Sequence, residues 1–457
     1  MTGSSHPEVS PDSGLRGRLL ANHLAKWKDR VLNSARRCDP VALTRTLTLW
    51  FTIIGLAVTF VIFAYYGTRS LSDMLSFMPN DPPGPMLGEM YPQPFGVHYF
   101  GDFLLPLRQS VLDSPYATEG VFHSMYPLFM LMVIRPLASL SYTPATAIFL
   151  LSSVLILLVP LGLASRKAGI VDRLASVAPF ALSAPMIVVL DRGNTQSLVV
   201  GMALIGLLAY LRQRYVVAGV CFALSAAMKV YPVLLLLLLV KARKWRALGV
   251  SVAVGVFATL LASAMYDGNV FQNLSSLWDA TRVFRQPSLD QLLLYNHSFR
   301  GGLAAVMTTG PSAVNGLAEW AVLHYEPLLL TMLAGLSALV VLRSTTVFHS
   351  VTYISVFLSF GVSISYGYAP VFMFLPVMVL LTGEVERNIG TFVSVVLIAF
   401  ILAPKGFVVG GHELALYTYL NPLLAGLLVL QMVVTDLFHL RTRWRDLEVQ
   451  SEVSGSA

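Results

Sequence analysis

The sequence predicts an all-α polytopic membrane protein with about twelve transmembrane helices, and three observations lead there. Hydrophobic residues make up 56% of the 457 and charged residues 12%, where a soluble domain carries about 25% charge. Apolar runs long enough to cross a bilayer, or nearly so, recur along most of the chain. Lysines and arginines concentrate in short loops between these runs and in the two tails. That distribution accounts for the formal net charge of +7: it is a positive-inside bias, not a nucleic-acid recognition face. Cys38 sits in the basic N-terminal segment and Cys221 in an apolar run, so the two do not read as a disulfide pair.

Residues 1–44 form a polar, basic tail. Arg16, Arg18, Lys26, Lys28, Arg30, Arg36 and Arg37, with Arg45 just beyond, place it in the cytoplasm. The tail is too long and too charged for a cleaved signal peptide, and an amphipathic interfacial helix fits residues 16–35. The transmembrane domain covers 45–438, beginning with a span at Leu47–Tyr66. A long first outer loop follows, about 67–145. Its MPNDPPGPMLGEMYPQPFG stretch is too rich in proline and glycine for regular helix. Phe103–Leu112 and Pro127–Leu140 each fit a short interfacial or re-entrant helix.

Spans are then expected at Ala145–Ala164, Leu174–Leu190, Ser197–Leu211 and Val216–Met228. Lys229-Val-Tyr-Pro breaks the next apolar run, because proline disfavours helix at the residue before it. Leu234–Val240 returns inward and Leu248–Met265 goes out again. A second outer loop covers about 266–319. Five more spans fit Leu323–Leu342, Val347–Ser363, Tyr368–Leu381, Thr391–Leu402 and Leu416–Phe438, and the basic tail at 439–457 is cytoplasmic.

In this topology the polar interruptions all face one side, outward. They are Asp102, Asp191-Arg192-Gly193-Asn194, Lys229-Val-Tyr231-Pro, Asn296-His297-Ser298 and Tyr366-Gly-Tyr368. The Arg/Lys-dense short loops face the other side. Asp102 follows His98 and Tyr99 and precedes an apolar turn, which suits a partly desolvated base; it also reads as a solvated residue capping the next helix. Glu89 is the rival carboxylate, and Asp113 reads as a turn residue before Pro115. Lys229 is an ionisable group within an apolar segment, a costly placement that usually serves function, or else a snorkelling lysine. Arg192 either shares a binding task or pairs with Asp191. Asn194 also reads as a helix cap. Tyr231, Tyr366 and Tyr368 fit sugar stacking as well as an aromatic belt.

The segment RGNTQSLVVGMALIGLLAYLRQRYVVAGVCFALSAAMKVYPVLLLLLLVKARKWRAL resembles the core of glycosyltransferase family 87. The shared features are Arg192-Gly193-Asn194 opening a span, the Lys229-x-Tyr231-Pro232 break and the basic Lys244-Trp245-Arg246 patch. Upstream, GDFLLPLRQSVLDSPY and MYPLFMLMVIRPLASL resemble that family's first outer loop, with Tyr126-Pro127-Leu128 where the family has Tyr-Pro-Pro. Asn296-His297-Ser298 resembles the Asn-Gln-Ser of a later loop. Ser363-Ile-Ser365-Tyr366-Gly-Tyr368 stands where the family carries Ser-Pro-x-Ser-Trp-x-His, without the histidine.

The resemblance implies a GT-C membrane fold and an inverting transfer of a sugar from a polyprenyl-phosphate donor. Mannose comes first, arabinofuranose second. The acceptor would be a glycolipid or a cell-envelope polysaccharide, at the outer face of a bacterial plasma membrane. Asp102 would be the catalytic base. Lys229, Arg192 and Arg300 would meet the donor phosphate. His98, Tyr99, Asn194, Tyr231, Asn296, His297, Tyr366 and Tyr368 would line the substrates. No cofactor is implied; a divalent ion is compatible with His98, His123 and Asp102, but no recognised ligand spacing indicates one. No Walker-type loop, GxSxG or CxxC pair occurs, which argues against an ATP-driven pump and a soluble-type hydrolase. A transporter or flippase for a lipid-linked saccharide is the alternative, as is an inactive scaffold with the enzyme's fold. A transporter usually shows paired repeats, and none is evident here.

Overall fold

Runs of leucine, valine and alanine leave the backbone one way to satisfy its polar groups away from water, which is to form helix. The computed structural model describes residues 39–65, 100–116, 124–165, 169–291, 296–310, 312–342, 344–405 and 416–455. Their regular structure is helical throughout, with no strand among the described residues.

The helix α1 (Pro40–Tyr65) is followed by the short α2 (Gly101–Gln109) and by α3 (Leu128–Ile134), which continues as a 3₁₀ turn. These fill the places expected for the two interfacial helices. Next come α4 (Tyr142–Ala164), α5 (Ile170–Ala181), α6 (Ala184–Arg192), α7 (Gln196–Leu211) and α8 (Tyr215–Met228). A 3₁₀ stretch at Tyr231–Leu236 leads into α9 (Leu237–Lys241), then α10 (Trp245–Ser263). The second expected outer loop is itself helical: α11 (Val270–Gln291), α12 (Phe299–Thr309) and α13 (Ser312–Leu323) occupy most of it. Its polar residues hid a helix that need not cross the bilayer. The remaining helices are α14 (Tyr325–Val341), α15 (Val347–Val356), α16 (Phe374–Leu381), α17 (Ile389–Leu402) and α18 (Leu416–Gly455).

Among the described residues, four helices are long and apolar enough to cross a membrane, or up to six if two bent pairs each count as one span. The expected dozen is therefore not met on length. The other apolar helices run to 10–17 residues, which at about 1.5 Å per residue falls short of a hydrocarbon core roughly 30 Å thick. Backbone breaks divide what hydropathy reads as continuous. The α5–α6 pair bends by 70° just before Pro185, and α13–α14 bends by 77°.

Burial sorts the helices into centre and perimeter. Along α7 the side chains of Val199, Val200, Ala203, Leu204 and Leu207 are fully buried. Gly201 allows the close approach of α4: a Cβ there would strike the Ile156 side chain, the small-residue contact typical of membrane helix packing. By contrast α4, α10, α14 and α18 expose large apolar side chains such as Leu151, Phe257, Leu330 and Leu430. An apolar outer face of this kind suits lipid.

Polar contacts tie the ends. Asp436 on α18 accepts from His349 Nδ1 at 2.8 Å and from Tyr353 Oη at 2.7 Å on α15, so this buried carboxylate is partnered. Arg212 donates to the Leu163 carbonyl, and Lys241 donates to carbonyls of Val340, Leu342 and Thr345. These basic contacts lie at the ends of α4, α7 and α9 remote from Asp102. The segment after α10 is pinned to the first outer loop: Tyr266 Oη donates to the Ser110 carbonyl and the Asp267 amide to that of Asp113.

Candidate active site

Phe100 begins the site. It holds the left-handed backbone conformation at φ 51° and is buried. It places Asp102 in the first turn of α2, where an acidic side chain meets the positive end of the helix dipole. Phe100 is the N-cap residue and makes no side-chain cap bond, so capping is not what Asp102 does. Its carboxylate turns instead toward the end of α6. Arg192 Nε donates to Asp102 Oδ2 at 2.8 Å and Nη2 to Oδ1 at 3.2 Å, a two-point grip. Asn194 Nδ2 donates to Oδ2 at 2.6 Å. Asp191 is buried beside them, within electrostatic range of both Arg192 and Asp102.

Gly193 makes this possible. It closes α6 at φ 61°, a conformation that glycine adopts without penalty. A Cβ there would run into the Phe100 ring. The chain then reverses, and Asn194 Oδ1 accepts the Gln196 amide at 2.8 Å, opening α7. Thr195, not Asn194, is the N-cap residue of α7; the Asn194 oxygen ties the helix start and its nitrogen holds the carboxylate.

One turn further, Gln196 Oε1 accepts from Lys229 Nζ at 2.6 Å and from Tyr231 Oη at 2.9 Å. Lys229 follows α8, in extended backbone, and does not snorkel away from the interior. Its ammonium also lies 5.3 Å from the Tyr231 ring centre and 5.7 Å from that of Tyr368, in cation–π range. No carboxylate among the described residues bonds it directly, so its immediate partners are neutral. Tyr126 and Tyr368 complete the wall. Burial pushes the Tyr126 hydroxyl above its usual range, and the Asp102 carboxylate adds to this.

Asn296, His297 and Ser298 stand behind that wall. Asn296 Nδ2 and Ser298 Oγ donate to the Ser363 carbonyl at 2.9 and 3.0 Å. The Ser365 amide donates to Asn296 Oδ1 at 2.9 Å, and the His297 amide to the Ser365 carbonyl at 2.7 Å. The four bonds fix residues 363–365 and so carry Tyr366 and Tyr368, whose ring centres are 5.9 Å apart. His297 is buried, its ring tilted 33° against that of Tyr417 with ring centres 3.7 Å apart, and its Nδ1 lies 3.1 Å from Asn421 Nδ2. Burial, then the nearby Lys405 charge, holds the imidazole well below its ordinary range. Lys405 itself donates to carbonyls of Phe400, Ile401 and Ala403, closing α17. Arg300 lies in the first turn of α12 and acts on Tyr325.

The structure therefore gathers Asp102, Arg192, Asn194, Lys229, Tyr231 and Tyr368, and sets Asn296 and His297 behind them. Arg192 faces a carboxylate where a phosphate was expected. His98, Tyr99, His123 and Glu89 lie outside the described residues. Gln196 and Tyr126 belong to the site although neither was singled out for it; the signal for Gln196 was an amide two residues after Asn194 at the start of an apolar helix. No group of three or more His, Cys, Asp or Glu side chains among the described residues is arranged to hold a metal ion.

Comparison with known proteins adds one finding. The model of glycosyltransferase family 87 matches residues 122–365, a stretch that contains Arg192, Asn194, Gln196, Lys229, Tyr231, Asn296 and His297 and begins after Asp102. No curated protein and no solved structure matches the chain. Since the matched stretch takes in more than half of the sequence, and with it most of the residues assembled here, the chain belongs to glycosyltransferase family 87.

Proposed function

We propose that this glycosyltransferase has the GT-C fold and moves a sugar, most readily mannose, from a polyprenyl-phosphate donor to a glycolipid or cell-envelope polysaccharide. The observation that carries the reading is the run of hydrogen bonds from Asp102 through Asn194 and Gln196 to Lys229. It links a carboxylate and an ammonium, distant in sequence, through two bridging residues, and the two charges lie within electrostatic range of one another.

The chemistry follows from those two groups. An acceptor hydroxyl attacks the anomeric carbon as the bond from that carbon to the phosphate oxygen breaks. The proton passes to Asp102, and polyprenyl phosphate leaves carrying the electron pair, its charge met by Lys229. The configuration at the anomeric carbon inverts. Arg192 and Asn194 orient the carboxylate; Tyr231 and Tyr368 offer rings to the sugar.

Charge supports one assignment of the membrane side. Lys229 at the end of α8 bonds Gln196 at the start of α7, so these helices run antiparallel. Arg212 and Arg214 at their other ends sit roughly 24 Å away, at about 1.5 Å per residue. Cations that favour the cytoplasm support a reading with both termini inside and the reacting groups on the extracytoplasmic face; that the membrane is a bacterial plasma membrane is what the family resemblance implies.

A purified wild-type protein given radiolabelled polyprenyl-phosphate mannose and a membrane lipid extract should yield labelled glycolipid or polysaccharide. An arabinofuranosyltransferase would label only from the arabinofuranosyl donor. Movement of an intact lipid-linked saccharide between leaflets, with no new glycosidic bond, would overturn the reading in favour of a flippase.

A further inference from the structure

Gln196 is fully buried, in the first turn of α7. Its backbone amide is committed to Asn194 Oδ1. The orientation of its side-chain amide is fixed by chemistry, because an ammonium only donates. The atom 2.6 Å from Lys229 Nζ is therefore the oxygen, which the Tyr231 hydroxyl also meets at 2.9 Å. The nitrogen is turned away from both, and Nε2 has no hydrogen-bond partner among the described residues. A buried amide nitrogen without an acceptor forfeits the hydrogen bonds it makes in water. Folded proteins rarely keep such a group without a use for it.

Its surroundings say which acceptor suits it. The same side chain holds Lys229, whose ammonium has a neutral oxygen and two aromatic rings around it. An anionic group that met the Gln196 N–H groups would lie across the same carboxamide from the ammonium that Oε1 holds. We propose that Gln196 is a substrate-binding residue whose Nε2 donates to a phosphate oxygen of the polyprenyl-phosphate donor, while its Oε1 keeps Lys229 aimed at the same group. This rests on the donor proposed above. Gln196 then links the two halves of the site, since the turn that holds Asp102 also presents the donor-facing amide.

Gln196→Glu separates this role from simple bracing of the lysine. Glutamate keeps an acceptor for Lys229 and Tyr231 and adds an ion pair, but sets an anionic oxygen where the N–H groups were. Binding of a short-chain polyprenyl phosphate to the purified protein, against the same polyprenol without phosphate, is the measurement. The expected result is a loss of about tenfold or more in affinity for the phosphate, with polyprenol binding and the ligand-free unfolding midpoint unchanged. In turnover, the donor KM should rise by more than kcat falls. Gln196→Met, of similar length, should weaken phosphate binding too, and serves if the glutamate variant does not fold. Wild-type affinity in both variants overturns the proposal and leaves the donor reading standing. A wild-type protein that binds polyprenol as well as its phosphate defeats the donor reading itself, and this proposal with it.

Discussion

Arg192 reaches Asp102 across 90 residues of chain and grips it from two nitrogens. The two side chains are about one-fifth exposed, at 20% and 21%, so water screens the pair only in part. A lysine offers the charge without the fork. Arg192→Lys should therefore lower transfer roughly 10- to 100-fold by letting the carboxylate drift. The loss of one charge-assisted bond should cost stability by about 1–2 kcal/mol. Turnover and the unfolding midpoint in detergent check the two effects separately.

Asp102→Asn keeps the size of the side chain and removes the proposed base. Transfer should fall roughly 10²- to 10⁴-fold with membrane insertion intact. Normal turnover in this variant would move the base elsewhere, to Glu89 first, and Glu89→Gln would then be the inactive protein.

Lys229→Ala leaves the Gln196 oxygen with only the Tyr231 hydroxyl. The expected outcome is a donor KM raised more than kcat is lowered, at unchanged protein level. Steady-state kinetics with varied donor decide it, and an unaltered donor KM would remove Lys229 from phosphate binding.

At Gly193 a methyl group meets both the φ of 61° and the Phe100 ring. Gly193→Ala should cost about 1–2 kcal/mol from the backbone alone and more from the contact. Because Asn194 follows directly, activity should drop further than stability does. A thermal melt beside a transfer assay reads both.

His297 gives the pH dependence. An unfolded histidine titrates at about 6.5, whereas burial and then Lys405 hold the folded imidazole below that value. Between the two values the unfolded chain binds more protons, so stability falls as pH drops through the window and levels off below the folded value. His297→Gln should flatten this fall between about pH 6.5 and pH 5. Unfolding midpoints of the two proteins across that range are the check.

Much of this site was legible before any coordinates. Asp102, Arg192, Asn194 and Lys229 stand out because a polar group in an apolar sequence needs a reason. Their convergence followed from reading each at the same end of alternating helices. Gln196 escaped notice because an amide at a helix start reads as ordinary. Its importance lies in which of its two ends meets Lys229, and spacing does not encode that. Arg192 was assigned to phosphate because sequence cannot choose between Asp191, Asp102 and a ligand as its counter-ion. Among the elements, helix positions were close and continuity was not. Hydropathy averages over the bend before Pro185 and over the 3₁₀ stretch at Tyr231–Leu236, so apolar runs were counted as spans that the backbone interrupts. In 266–319, expected as an outer loop, polar residues on α11 left the helix there without an apolar signature.

The bonds that brace the candidate site meet at the start of α7, a shaft buried along most of its length, while outlying helices such as α4 and α10 keep large apolar side chains exposed. Drift at the rim can retune the protein for a thicker or thinner bilayer without disturbing its catalysis. Change along the shaft has no such latitude, since a methyl group added at Gly201 displaces the same rod whose first turn aims the chemistry.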